Sequence, residues 1–280
     1  ATMLFGLKRK NEEMMDNLHT RVEGVELAAF LDFSEAAAGV EPLALKYEMV
    51  DQALIMTAAG DPHFLINRVI GLGVSAPAQR DTISRFCRDF AAADIGRYFV
   101  HITDDAEPAE LKSWLAEENF VAQRCWMKFV HKGGLAPSSG SDLDVRLIDG
   151  EHGEAFGQIV AASFDMGEAS IPVLAKLPDR EKWQIYMGFV AGEPAAAGAL
   201  FVDQGVGWCD FGATSSKFRR LGGQRAMLEA RIKAARDLGC DLIATETGEA
   251  VEGDPQHSYH NIQWAGFEES YLRENYAPAK

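Results

Sequence analysis

Two stretches of this chain follow one pattern: "AAADIGRYFVHITDDAEPAELKSWLAEENFVAQRCWMKF" (Ala91–Phe129) and "AARDLGCDLIATETGEAVEGDPQHSYHNIQWAGFEESYLREN" (Ala234–Asn275). Each starts with a helix end, AA-x-D-[IL]-G, and continues with an apolar strand and an acidic loop. A short helix closing on Asn-Phe or Gly-Phe follows, then an aromatic-rich strand. A repeat at this spacing specifies two copies of one α/β unit rather than a solenoid. Gly96 and Gly239 are expected to take the left-handed position that stops a helix.

Between the copies lies "HKGGLAPSSGSD" (His131–Asp142), where Gly, Pro and Ser crowd together. The expected organisation is a unit over 1–133, a linker over 134–142 and a second unit over 143–280. In the second unit "LDVRLID" reads as a strand, and "GEAFGQIVAASF" and "IPVLAKL" as helices. "WQIYMGFVAGEPAAAGALFVDQ" reads as two strands joined at Ala191–Pro194, and "GWCDFGATS" as another strand. Leu228, Ile232, Ala235 and Leu238 form the apolar stripe of a helix whose wet side carries Glu229 and Lys233. "DLIATET" is a buried-type strand and "HSYHNIQWAG" a short helix.

The stretch "FRRLGGQRAMLEARIKAARDLGC" (Phe218–Cys240) sets adjacent glycines at a helix start, inside the basic cluster Lys217, Arg219, Arg220 and Arg225. Backbone N–H groups, the helix dipole and guanidinium charge then converge, an arrangement suited to a pyrophosphate. GxxxxGK[ST] is absent, so this is not a Walker loop.

The motif Arg219-x-x-Gly222-x-Gln224-x-Ala226, with a strand before it and the helix, "DLIATET" and a short helix ending "AGF" after it, resembles the GCN5-related N-acetyltransferase (GNAT) family. The likeness covers Leu143 to about Tyr276, and the first half resembles a degenerate copy without the cofactor loop. The resemblance implies a tandem acyl-CoA N-acyltransferase-like α/β fold (α+β mixed sheet), with a mostly antiparallel central sheet flanked by helices. It implies acetyl-CoA as co-substrate, its pyrophosphate on Arg219, Arg220, Leu221, Gly222, Gly223, Gln224 and Arg225. The acyl carbonyl would be held by backbone around Gly212, Ala213 and Thr214, and the pantetheine arm would meet Asn261. The activity implied is transfer of an acetyl group to a primary amine of a small molecule or peptide, by direct attack in a ternary complex.

An amine of pKa about 10.4 needs a base to become a nucleophile. Glu246 on "DLIATET" is the candidate, with Asp210 as an alternative carboxylate. Many members of the family place a tyrosine acid five residues before the Phe of the final Gly-Phe; here that position is Ile262. Tyr259 and Ser258 are the substitute proton donors. A contrasting expectation is a CoA-binding or regulatory module that has lost turnover. A third, a nicotinamide-dependent oxidoreductase, rests on "VIGLGVSA" (Val69–Ala76), a lone GxGxxA whose acidic partner Asp104 lies too far along the chain. His257 and His260 lack a third ligand at metal spacing, so no metal is expected.

The formal net charge of −15 argues against nucleic acid as a partner. The longest apolar runs are too short and too interrupted to span a membrane. The N-terminal "ATMLFGLKRKNEEMMDN" lacks a secretory pattern. Cys87, Cys125, Cys209 and Cys240 show no paired spacing and are expected to be buried free thiols. A cytoplasmic protein, monomer or homodimer, is the expectation.

Overall fold

The computed structural model describes residues 2–279, with side chains from Leu18 onward. Ala1 and Lys280, the outer ends of the two expected units, lie outside the described residues. The first half runs α1 (Thr2–Ala36), β1 (Leu45–Val50), β2 (Ala53–Ala58), β3 (Arg68–Ile70), α2 (Arg80–Ala92), β4 (Phe99–Ile102), α3 (Leu111–Glu117) and β5 (Phe120–His131). The second runs β6 (Asp144–Leu147), α4 (Gly153–Phe164), α5 (Ile171–Leu174), β7 (Trp183–Val190), β8 (Glu193–Asp203), β9 (Val206–Thr214), α6 (Gly223–Asp237), β10 (Leu242–Gly248), α7 (His257–Trp264) and β11 (Glu268–Pro278).

Among the described residues, eleven strands join one sheet, in the order β1-β2-β3-β4-β11-β5-β10-β9-β8-β7-β6. Pairing is antiparallel except at β3–β4 and β9–β10, where a helix crosses over between parallel neighbours. The mixed, mostly antiparallel sheet flanked by helices is the fold that the sequence resemblance implied. The order also contains an exchange. The last strand of the chain, β11, lies between β4 and β5, and β5 pairs with β10 of the second half.

The sequence reading did not identify α1. Its buried residues Val22, Val25, Ala29, Phe30, Phe33 and Ala36 recur at helical spacing, but Glu23 and Glu26 are buried among them and blur the stripe. Phe30 and Phe33 reach across to Phe211 of β9, with ring centroids 6.3 and 6.2 Å apart. The helix thus packs on strands of both halves.

Three local expectations need correction. Gly239 is left-handed after α6 (φ 81°), but after α2 that conformation belongs to Asp94 (φ 57°), not Gly96. Aspartate is among the residues that enter this region at least cost, because its short side chain can bond locally. Leu238 is 53% exposed, because α6 ends at Asp237 and the stripe stops with Ala235. Cys209 and Cys240 are buried free thiols, whereas Cys87 and Cys125 are only half-buried.

Candidate functional site

Strands β9 and β10 pair only through Leu242–Val206, Ile243–Gly207 and Ala244–Trp208, then diverge. The divergence begins where β9 bulges. Register with β8 slips between Ala197 and Ala199, and Phe211 takes φ 48°, a conformation that costs free energy in a bulky residue. Two neighbours hold it. Asp210 accepts from its own chain at Phe211 N (2.7 Å) and from Trp208 Nε1 (3.0 Å). Buried Arg231 of α6 donates to the carbonyls of Asp210 (3.0 Å), Ala199 (3.3 Å) and Met227 (3.0 Å). Gly198 and Gly212 make room for that guanidinium, since a Cβ would lie 2.9 and 3.3 Å from it. Past the bulge, Ser215 N–H donates to Ala195 O of β8 (2.9 Å). Alternation along the strand therefore turns the Thr214 N–H toward the edge that the splay leaves open.

The glycine loop sits at the end of this opening. Gly222 (φ 78°) is the N-cap of α6, and no side chain caps the helix. The first turn carries no acidic residue, so its orphan N–H groups and dipole remain available to an anion. Gly223 packs against the sheet, where a Cβ would meet Ala196 at 3.0 Å and Thr214 at 3.3 Å. Arg219, Arg220 and the α6 N-terminus line a cleft of about 770 Å³ together with His257, Ser258 and Asn261 of α7. Leu221 does not line it; its side chain is 48% exposed and its carbonyl accepts from Ser141.

A chain of hydrogen bonds ties α6 to α7. Arg225 Nε donates to Asn261 Oδ1 (3.0 Å) and Asn261 Nδ2 to Gln224 Oε1 (2.7 Å). Gln224 Nε2 then donates to Ser258 Oγ (3.1 Å). Every bond points the same way, from a cation to a hydroxyl whose own proton is left to donate onward. Arg225 also lies over Trp264, 4.6 Å from the ring centroid.

Next to this cleft, and sharing Phe164, Gly212, Gln224 and Ser258 with it, is a cavity of about 280 Å³. Its floor carries Asp210 and Glu246, and its walls come from both halves: Phe164, Phe211 and Ile262 from the second, His63–Leu65 and Trp126 from the first. Glu246 belongs to a buried ionic cluster. Its Oε2 accepts from Arg273 (2.7 Å) and Lys128 (2.9 Å), while Oε1 lies 3.9 Å from Arg68. Glu26 of α1 meets the same three cations, and Glu23 pairs with Arg273 (3.1 Å). Those cations hold Glu26 well below the usual carboxylate range despite its burial. Glu246 is pushed up by burial and by Glu26, against Arg273 and Lys128. Burial likewise raises Asp210. Cys209 also lines the cavity, but burial pushes its thiol up to about 11, which leaves no thiolate for covalent catalysis.

The structure therefore brings together most of the residues singled out in the sequence: Gly212, Ala213, Thr214, the loop from Arg219 to Arg225 apart from Leu221, Ser258, Asn261 and Glu246. Tyr259 is turned away. It is buried in the apolar core, edge-on to Phe129 at 4.8 Å, and burial with Glu269 nearby raises its phenol to about 12. Helical spacing explains this: Ser258 faces the cleft, Tyr259 is rotated about 100° from it into the core, and Ile262 lies between the two directions, at the edge of the smaller cavity. The nicotinamide-type fingerprint is a packed turn. A Cβ on Gly73 would lie 2.6 Å from Glu107 O, and Glu107 N–H donates to Gly73 O. Sequence reasoning missed Arg231 and the cluster of Glu23, Glu26, Arg68, Lys128 and Arg273. Isolated charges among apolar residues, in strands for Arg68, Lys128 and Arg273 and in helices for Glu23, Glu26 and Arg231, were the only signal for them.

No family model matches the sequence, and no curated protein matches it. Solved structures do match in fold. A GCN5-related N-acetyltransferase from Kribbella flavida superposes with a TM-score of 0.66 at 14% identity, over 93% of this chain and 95% of its own. One from Sphaerobacter thermophilus gives 0.57 at 12% identity, over 82% and 81%. A tandem GNAT protein from the clavulanic acid biosynthesis pathway, in a structure without acetyl-CoA, gives 0.52 at 11% identity, over 81% and 79%. The chain has the fold of these acetyltransferases.

Proposed function

We propose that this protein is an N-acyltransferase that transfers an acetyl group from acetyl-CoA to a primary amine within a ternary complex. The observation that carries this reading is a pair of adjoining cavities that share Phe164, Gly212, Gln224 and Ser258, one lined by the uncapped α6 N-terminus and the other by buried carboxylates. An anion-binding helix start beside a base is what such a transfer needs. Residues 143–280 form the catalytic unit. Residues 1–133 are a degenerate second copy that walls the acceptor side, and 134–142 link the two.

Acetyl-CoA, as co-substrate, supplies the electrophilic thioester carbonyl. The first turn of α6 with Arg219 and Arg220 binds its pyrophosphate, and the Thr214 N–H at the open strand edge polarises the carbonyl. Glu246, oriented through Oε2 by Lys128 and Arg273, takes the proton of the attacking amine as the N–C bond forms. Ser258, fed by the chain from Arg225, supplies a hydrogen bond to the sulfur that departs with the C–S electron pair. An acceptor that enters as ammonium first gives up one proton to solvent; the second proton lost by nitrogen equals the one gained by the thiolate, so no further reactant is consumed.

Calorimetric titration with acetyl-CoA and CoA, followed by thiol release with a panel of amines, tests the reading. Binding with amine-dependent thiol release is the expected outcome. Ile262 at the cavity, where the family resemblance puts a proton donor, favours the second reading: a CoA-binding module without turnover. Binding with no release for any amine would establish that alternative. No binding of either ligand would overturn both.

A further inference from the structure

Resting on the acyltransferase reading, the cavity also specifies the acceptor. We infer that it is a small primary amine carried on an apolar body of aromatic-ring size, and not an amino acid, a polyamine or a peptide chain.

The walls supply the first argument. Phe64, Trp126, Phe164 and Phe211 surround the space. Phe64 is braced by stacking on His63 (4.4 Å) and by contact with Phe99 (4.7 Å), and lies 6.3 Å from Trp126. The loop bearing Phe64 is fixed as well. Buried Asp61 accepts from His63 N (3.2 Å), from Gly167 N (2.8 Å) and from the Ser170 hydroxyl, which ties this loop of the first half to the second. An aromatic wall held in this way selects by shape. Size agrees, because a cavity of about 150 Å³ already holds benzene. The space of about 280 Å³ then takes a ring and a short aminoalkyl arm, but no folded chain.

Charge supplies the second. Within the buried cluster Glu23, Glu26 and Glu246 face Arg68, Lys128 and Arg273, three against three. Asp210 is a fourth carboxylate in the field of Arg68 and forms no ion pair among the described residues. One ammonium group supplies the absent positive charge. A carboxylate on the acceptor is poorly matched: the cavity-lining cation Arg231 gives three of its five N–H groups to carbonyls, burial keeps His63 below its ordinary pKa, and the carboxylates Asp210 and Glu246 line the same space. A polyamine would bring further cations to apolar walls.

The experiment compares kcat/KM for 2-phenylethylamine, spermidine, glycine and a lysine-containing tripeptide at saturating acetyl-CoA. 2-Phenylethylamine should exceed each of the others by at least tenfold. Phe64→Ala should lower its kcat/KM about tenfold, leave that of ethylamine within twofold, and leave acetyl-CoA affinity at the parent value. A preference for spermidine, glycine or the peptide overturns the inference, as does equal loss for ethylamine and 2-phenylethylamine in Phe64→Ala. A readout without turnover separates this from the parent reading. Thermal shift by 2-phenylethylamine but not by 3-phenylpropionate supports the cavity assignment even if no thiol is released. A larger shift by 3-phenylpropionate overturns it.

Discussion

Among single residues, Glu246 and Asp210 divide, on the acyltransferase proposal, the work expected of one carboxylate. Glu246→Gln keeps the shape but cannot take a proton, so kcat should fall about 10²–10⁴-fold with acetyl-CoA affinity unchanged. The base must be ionised to act, and burial raises Glu246. The acidic limb of kcat/KM should therefore rise with pH through a midpoint above the ordinary 4.5, and the variant should lose that limb. Asp210→Asn removes the unpaired anion and should raise the KM for amine more than it lowers kcat. Glu26 is a structural counterpart, because it meets the same three cations as Glu246 but is fully buried and does not line the cavity. Glu26→Gln leaves buried charge uncompensated and should cost about 3–5 kcal/mol, read by denaturant unfolding. Its depressed pKa fixes the pH dependence as well. The stabilisation is complete above the ordinary 4.5 and is lost as pH falls through the lower folded value. Glu246 was legible as a carboxylate at a strand end. Its partners were not, because they come from β3, β5, β11 and α1.

At the scale of elements, α6 is where sequence and structure agree best. Gly222 was singled out for its place at a helix start, and its φ of 78° explains the residue type. An alanine there is strained by about 1–2 kcal/mol, and its Cβ would stand 3.2 Å from Ser141. Gly222→Ala should therefore tilt the loop and weaken acetyl-CoA binding at least tenfold by calorimetry, with far-UV circular dichroism unchanged. Parent-like affinity would remove the loop from the anion site. α4 and β7–β10 were readable because period and turn chemistry are local. α5 was overread: "IPVLAKL" yields only Ile171–Leu174 as helix before the turn at Leu177–Asp179. The bulge at Phe211 had no signal beyond Gly212, since Arg231, which supports it, lies on another element.

For the whole molecule, the exchange of β5 and β11 joins the halves more firmly than a linker does. β5 pairs with β10 over six residues, Ile243–Gly248 against Trp126–His131, and β11 pairs with β4 and β5. Nicking the exposed segment around Leu135, which is 74% accessible, should leave a single particle that still binds acetyl-CoA. The fragments should part only in denaturant. Size-exclusion chromatography of the nicked protein checks this, and two separate peaks in native buffer would refute it.

What the sequence determined by itself was what short-range chemistry encodes. The repeated helix-end, strand and short-helix pattern, the glycines before α6 and the strand hairpin at Ala191–Gly192 all rest on neighbours within a few positions. The tertiary structure decided the rest. It set β11 between β4 and β5, brought Glu23 and Glu26 of α1 over a cluster built from four strands, and turned Tyr259 inward while Ser258 faced the cleft. Each of these depends on which distant surfaces bury one another. A buried charge is stable only where partners from other elements meet it, and linear spacing does not record that meeting.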